Sequence, residues 1–269
     1  MSSTASQAAS RAQKNATLST DAVEALAHKY GNMCVGVEQS GGKTAANAEA
    51  WLERLETIPL QGPWPASSSI TAGTLWRERT SVIFVVRRLG CPLCRELVAG
   101  LLEYAEEFDD ADADIVLISA QDTGAEEIAT GRFVNGGDAG VAKPSMRGGS
   151  DAAHSTLAQQ LMLKIYLDTD SSFHKALGGR RVHNVVALRP DVLVRTAINT
   201  VRFGARMDDI NEQSDYLGGT LVVHPRLGVL HCQQETEDFR NMTAGDLLGT
   251  VQALLETSEN AYASMAAAF

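Results

Sequence analysis

The stretch from Ser81 to Phe108, SVIFVVRRLGCPLCRELVAGLLEYAEEF, constrains the fold more than any other part of the chain. Val82, Ile83, Phe84, Val85 and Val86 form an unbroken apolar run rich in β-branched residues, the pattern of a central strand covered on both faces. Gly90 permits a sharp turn. Pro92 suits the first position of a helix, where its missing N–H would have no partner in any case. Beyond it Leu97, Leu101, Ala105 and Phe108 recur at intervals of four, four and three, with Val98 and Leu102 widening the stripe. The spacing predicts one helix running on to Phe108, with two cysteines, Cys91 and Cys94, at its mouth.

At a helix mouth backbone N–H groups and the positive end of the helix dipole converge, which favours a thiolate. Cys94 lies three residues before Leu97 and continues the buried face. Cys91 is expected to be the more exposed sulfur. That asymmetry assigns the roles: Cys91 attacks, and Cys94 closes a disulfide behind it. Arg87, Arg88 and Arg95 add positive charge that favours the thiolate further. Side chains alternate along a strand, so one of Arg87 and Arg88 is expected to point away from the site. The same CxxC could form half of a zinc site. Zinc needs four ligands, however, and beyond this pair only Cys34, Cys232 and the neighbouring His231 are at hand. A structural disulfide is the other alternative, and the strand–turn–helix context favours redox use over it. Cys34 and Cys232, each among apolar neighbours, are expected to be packed, inert thiols.

The 269 residues are 44% hydrophobic, enough for a sizeable core, and the net charge of −10 argues against nucleic acid and against an anionic membrane surface. No apolar stretch approaches the ~20 residues that span a bilayer. Four cysteines in a chain of this length do not make a secreted disulfide scaffold. They fit a reducing, cytoplasmic setting in which a CxxC works catalytically. The pattern calls for no cofactor and no metal.

Residues 1–20 carry Arg11, Lys14 and no acid, a composition read as a disordered tail rather than a transit peptide. Residues 21–60 form an N-terminal helical extension, with helices predicted at Asp21–Tyr30 and at Ala45–Leu55. The main domain spans 61–258. It opens on a Pro- and Ser-rich linker, Gln61–Ser69, and a short helix at Leu75 and Trp76. Asp109, Asp110, Asp112 and Asp114 lack the glycine and glutamate of a calcium loop and read as a solvated turn. Ile115–Ile118 is a second strand, and residues 124–155 a mobile surface insertion whose glycines match no phosphate-binding pattern. Then come a strand at Lys164–Leu167 and a helix at Asp170–Leu177 closed by Gly178. Asn184–Met207 is read as a helical excursion over the active face. A hairpin of Thr220–Val223 and Gly228–Gln233 follows, and then a helix at Ala244–Leu255 with Leu247, Leu248, Val251 and Leu254 inward. The chain is expected to fray from Thr257, with 259–269 a C-terminal tail. His174 and His183 fall near the site, although lone histidines are more often solvated or structural.

That order of elements predicts an α/β chain with a thioredoxin-like fold. A central mixed β-sheet is flanked by helices, with the CxxC at a helix N-terminus, an N-terminal helical extension and a loop insertion. Four stretches also resemble a known family, the peroxiredoxin-like 2 group of selenoprotein U and the prostamide/prostaglandin F synthases. LWRERTSVIFVVRRLGCPLCRE (75–96) is similar to its Leu-Trp, strand, Arg-Arg, Gly-Cys-x-x-Cys-Arg hallmark. KIYLDTDSSFHKALG (164–178) resembles its strand–Asp–helix element, TAINTVRFGAR (196–206) its variable segment, and YLGGTLVVHPRLGVL (216–230) its Leu-Gly-Gly hairpin.

The resemblance implies a peroxiredoxin-like, antioxidant-type oxidoreductase with a redox-active disulfide. Its substrate would be a small-molecule peroxide or endoperoxide, or a disulfide, and a thioredoxin-type electron donor would reset it. Cys91 would be the nucleophile and Cys94 the resolving thiol. Arg87 or Arg88 would stabilise the thiolate or a leaving oxyanion. Two departures bear on this. Peroxiredoxins carry Pro-x-x-x-Thr-x-x-Cys; counting back from Cys94 reaches Cys91 and Arg87, and from Cys91 reaches Arg88 and Phe84, so neither frame fits. Thioredoxins place a cis-proline before the hairpin strand, whereas here Gly219 precedes Thr220, which predicts a more open site above the sulfurs. The competing reading is a non-catalytic thioredoxin-like binding module with a structural or vestigial CxxC.

Overall fold

The computed structural model describes residues 45–66, 68–129, 163–181, 189–203, 216–226, 228–235 and 243–266. In chain order the first elements are α1 (Ala45–Glu56), β1 (Pro59–Gln61), β2 (Ser69–Thr71), a 3-10 turn (Ala72–Thr74) and β3 (Thr80–Val86). Next come α2 (Pro92–Leu102), α3 (Ala105–Asp110), β4 (Ala113–Ser119), α4 (Ala125–Ala129), β5 (Leu163–Leu167) and α5 (Ser172–Ala176). The last are α6 (Pro190–Phe203), β6 (Gly219–His224), β7 (Gly228–Gln234) and α7 (Ala244–Ala266). The expected helix at Asp21–Tyr30, Cys34, His183 and most of the 124–155 insertion lie outside the described residues.

The strands form one sheet in the order β2-β1-β5-β4-β3-β6-β7. β3 is buried along its whole length, as its apolar run requires. It pairs in parallel with β4 and antiparallel with β6, while β5 continues the parallel set and β7 closes an antiparallel hairpin with β6. A β-α-β unit and a β-hairpin sharing a central strand, with a CxxC helix leaving that strand, is the thioredoxin-like arrangement. Alternation divides the core in two. Val82, Phe84 and Val86 pack beneath α2, α3, α6 and α7 with Val98, Leu101, Phe108, Phe203 and Leu247. Ile83 and Val85 face the other way, onto Trp51 and Leu55 of α1 and Phe173 of α5. Each such large apolar side chain taken wholly out of water contributes about 2 kcal/mol.

Several expectations change. Gln61–Ser69 is no linker. It is the turn of a hairpin that adds β1 and β2 to the sheet edge, pinned where Gly62 N donates to Ser68 O and Trp64 N to Ile165 O. The predicted helix to Phe108 is two helices, interrupted at Glu103 and Tyr104, and α3 buries Ala105 and Phe108. The start of the expected surface insertion belongs to the core: Ala125 and Ile128 are buried. Gly124 there has φ +89° and sits so close to Leu89 and Gly90 that a Cβ would lie 3.0 Å from their backbone. The closing helix does not stop at Leu255 but continues to Ala266. The acidic turn is not merely solvated, since Asp109, Asp112 and Asp114 converge on Arg79. No helix among the described residues is long and apolar enough to cross a membrane.

Candidate active site

β3 ends at Val86, so Arg87 to Gly90 form the turn that delivers Cys91 to the N-cap of α2. Cys91 has extended backbone (φ −69°, ψ 129°), Pro92 takes the first helical position, and Arg95 N donates to Cys91 O to begin the helical ladder. This is local chemistry: a proline and a turn glycine suffice to start the helix there. Both cysteines are free thiols.

The two sulfurs are buried to the same degree, each 4% exposed, so the expectation that Cys91 is the more exposed one is not met. Chemistry separates them instead. Hydrogen bonding from the Cys94 side chain, with the Arg87 charge, the Cys94 backbone N–H and the Arg88 charge, holds Cys91 well below the ordinary thiol range, against the burial that would raise it. Cys94 moves the other way, because it is the donor in that hydrogen bond and because it is buried. One thiolate is favoured and the second is suppressed, so the pair is poised as one nucleophile and one proton-bearing partner.

Arg87 is the charge in contact. Its Nη2 lies 3.6 Å from Cys91 Sγ while its Nε lies 3.3 Å from Glu235 Oε2, and the side chain is 7% exposed. Burial opposes the charged guanidinium, but the negative charges of Glu235 and the two sulfurs outweigh it and raise its pKa. Arg88 also lowers the Cys91 pKa, and its Nε is buried with no hydrogen-bond partner among the described residues. Of the two arginines, Arg87 is the one in hydrogen-bond contact with the sulfur among the described residues, and both stand beyond the end of β3 at Val86. Arg95, by contrast, does other work. It is wholly buried, donates to Leu89 O and Phe203 O and pairs with Glu127, so it clamps the turn, α6 and α4 together.

Glu235 was not singled out from the sequence, where it is one of 33 acidic residues in a polar run after β7, and no local pattern marks it. It is 4% exposed, its Oε2 accepts from Gly218 N at 3.0 Å, and its own N–H donates to Gly218 O at 3.0 Å. Gly218 makes room for this: a Cβ there would lie 1.9 Å from Val85 O. The Leu-Gly-Gly segment therefore presses backbone against backbone at the end of β3. Both sulfurs are buried, so the more open site expected from the absent proline is not seen among the described residues.

Behind the site, Asp168 caps α5, accepting from the N–H groups of Ser172, Phe173 and His174. His174 is buried with Nδ1 2.8 Å from Asp168 Oδ2 and Nε2 3.3 Å from Val86 O, which ties α5 to the turn that carries Arg87. Cys232 is not a thiol but is disulfide-bonded. His231 is kept neutral by burial, which lowers its pKa. Among the described residues no three His, Cys, Asp or Glu side chains gather as a metal site.

The chain is similar to several known proteins. A prostamide/prostaglandin F synthase of Aquarana catesbeiana is 27% identical over 154 residues, 56% of this chain and 62% of that protein. One from Danio rerio is 33% identical over 67 residues, 25% of this chain and 33% of that protein. A peroxiredoxin-like 2A of Xenopus tropicalis is 30% identical over 88 residues, 33% of this chain and 39% of that protein. The chain resembles the peroxiredoxin-like 2 proteins. It matches less than two thirds of the length of each of these relatives. No family model matches. Among solved structures, a 2-Cys peroxiredoxin of Plasmodium vivax aligns with a TM-score of 0.45 at 7% identity, over 75% of this chain and 79% of that one. Peroxiredoxin 5 of Alvinella pompejana aligns at 0.43 and 12%, over 74% and 95%.

Proposed function

We propose that this protein is a thiol oxidoreductase of the peroxiredoxin-like 2 type in which Cys91 is the nucleophile and Cys94 the resolving thiol. The observation that carries the reading is the contact of Arg87 Nη2 with the Cys91 sulfur, 3.6 Å away, in a buried pair whose Cys91 is shifted toward the thiolate and whose Cys94 is shifted toward the thiol. With a peroxide or endoperoxide, the Cys91 thiolate attacks one oxygen. The O–O bond breaks, the departing oxygen leaves as an alkoxide and is protonated, and an S–O bond forms. Cys94 then loses its proton and attacks the Cys91 sulfur, expelling the second oxygen. The net change is two thiols to one disulfide and one O–O bond to two hydroxyls, with two electrons passed to oxygen. With a disulfide substrate the same two attacks exchange sulfur for sulfur. An external thioredoxin-type dithiol restores the reduced pair. Arg87 stands where the negative charge of the thiolate, and of the leaving oxygen beside it, is met.

A second reading has one observation in its favour: both sulfurs are 4% exposed, as in a binding module whose CxxC no longer meets substrate. Thiol alkylation against pH, read by peptide mapping in wild type, Cys91→Ser and Cys94→Ser, decides between them. One fast thiol titrating below ~8.5 and lost in Cys91→Ser supports catalysis. Slow, ordinary thiols in all three proteins support the binding module.

A further inference from the structure

The thiol mechanism above uses Arg87 but leaves unexplained why a carboxylate is buried beside it. Glu235 is held by two bonds to the backbone of Gly218, not by solvent, and its Oε2 lies 3.3 Å from the same guanidinium that reaches Cys91 through Nη2. The Arg87 fork thus faces two anionic partners at once, a permanent one on Nε and a redox-dependent one on Nη2. We infer that Glu235 is a positioning residue that sets the redox poise of the Cys91–Cys94 couple, by serving as the counter-ion of Arg87 when the disulfide removes the thiolate. The inference rests on the thiol-exchange reading and adds to it a residue that does not touch substrate.

The argument is a count of charges in a buried place. In the oxidised protein Arg87 and Glu235 form a neutral pair. In the reduced protein the Cys91 thiolate adds a second negative charge beside the same guanidinium. Two like charges in a buried place repel strongly, whatever further partners Arg87 has. With Glu235 ionised, that repulsion falls on the reduced form alone and the disulfide is favoured. Without its charge, the repulsion is gone and the dithiol form gains. Glu235 therefore makes the couple more strongly reducing. The half-reaction it biases is disulfide plus two electrons and one proton giving the Cys91 thiolate and the Cys94 thiol.

The test is an equilibrium titration of the full chain in dithiothreitol buffers, with the dithiol fraction at Cys91 and Cys94 read by alkylation and peptide mapping so that Cys232 does not contribute. Glu235→Gln keeps an acceptor for Gly218 N and loses only the charge. It is expected to move the equilibrium toward the dithiol by tenfold or more, which for two electrons is about 30 mV. A ratio within twofold of wild type overturns the inference, because a purely structural support keeps its shape in the glutamine variant. Wild type that forms no Cys91–Cys94 disulfide at all overturns both this inference and the thiol-exchange reading beneath it. If Glu235→Gln fails to fold, Glu235→Ala in the same buffers answers instead. A tenfold shift toward the dithiol upholds the inference, and a ratio within twofold of wild type overturns it.

Discussion

The two ends of β3 carry the same side chain in opposite settings. Arg79 stands just before the strand and Arg87 just after it. Arg79, with 35% of its side chain exposed, holds three carboxylates, Asp109, Asp112 and Asp114, at 2.8 to 3.0 Å. Arg87, 7% exposed, has the Glu235 carboxylate at 3.3 Å and the Cys91 sulfur at 3.6 Å. Solvent screens the first cluster, so its surplus of negative charge costs little and does little beyond pinning a turn. Around Arg87 there is almost no water to share the work, and each added or removed charge is felt by the thiol next to it. Burial, not the number of ionic partners, separates the two ends. The more buried strand end is the one where charge acts most strongly on its neighbours.

The largest effect that would test this contrast is at the sulfur. Cys91→Ser should lower the single-turnover rate with a peroxide or disulfide by ~10³-fold or more, as expected for loss of a nucleophile. Cys94→Ser should leave the first attack intact and block disulfide formation. Stopped-flow kinetics with intact mass separates the two steps. A Cys91→Ser variant that reacts like wild type would remove the active end of the strand from the comparison altogether.

Next in size is the packing beneath the site. Gly218→Ala brings a methyl group to 1.9 Å from Val85 O, where the partner is backbone and must shift as a unit. A loss of about 3 kcal/mol or more is expected in denaturant unfolding, from overpacking and the displaced Glu235. At the arginines themselves, Arg87→Gln should slow Cys91 alkylation at neutral pH by about tenfold and move its midpoint toward that of an ordinary thiol. Arg79→Gln should leave both unchanged and cost no more than about 1 kcal/mol of stability. Equal effects at the two ends would erase the distinction drawn here.

The smallest signature is in the pH dependence of folding. Cys91 is depressed in the folded state, so the unfolded chain binds more protons than the folded one between that depressed value and ~8.5, and stability rises with pH across the interval. Cys94 is elevated, so above ~8.5 the folded state keeps a proton that the unfolded chain loses, and stability falls again. Chemical denaturation of the reduced protein from pH 5 to 10 should show this rise and fall. Cys91→Ser should flatten the rise, while Arg79→Gln leaves it in place.

Much of the frame was legible because its signals are local. The apolar run of β3, Pro92 at the start of α2, the β6–β7 hairpin and the face of α1 carrying Trp51 and Leu55 each follow from a few neighbouring residues. The misreadings also share a cause. Gln61–Ser69 has the composition of a linker, yet it becomes a hairpin because β5 offers an edge to pair with. Arg95 has the same charge as Arg87 and lies closer in sequence to Cys94, but its guanidinium goes to Leu89 O, Phe203 O and Glu127. Charge and spacing were readable, whereas direction was not.

The sequence alone therefore determined where the CxxC thiols would stand: the first after a buried strand at the mouth of a helix, and the second three residues on. Such features depend on backbone propensity and short-range periodicity, which act between residues near one another in the chain. Only the tertiary structure decided which arginine faces the sulfur and which carboxylate faces that arginine. Glu235 meets Arg87 because β6 and β7 fold back beside β3 and Gly218 lets the backbones close. Electrostatic coupling depends on distance in space and on the exclusion of water, and neither is written in the order of residues along the chain.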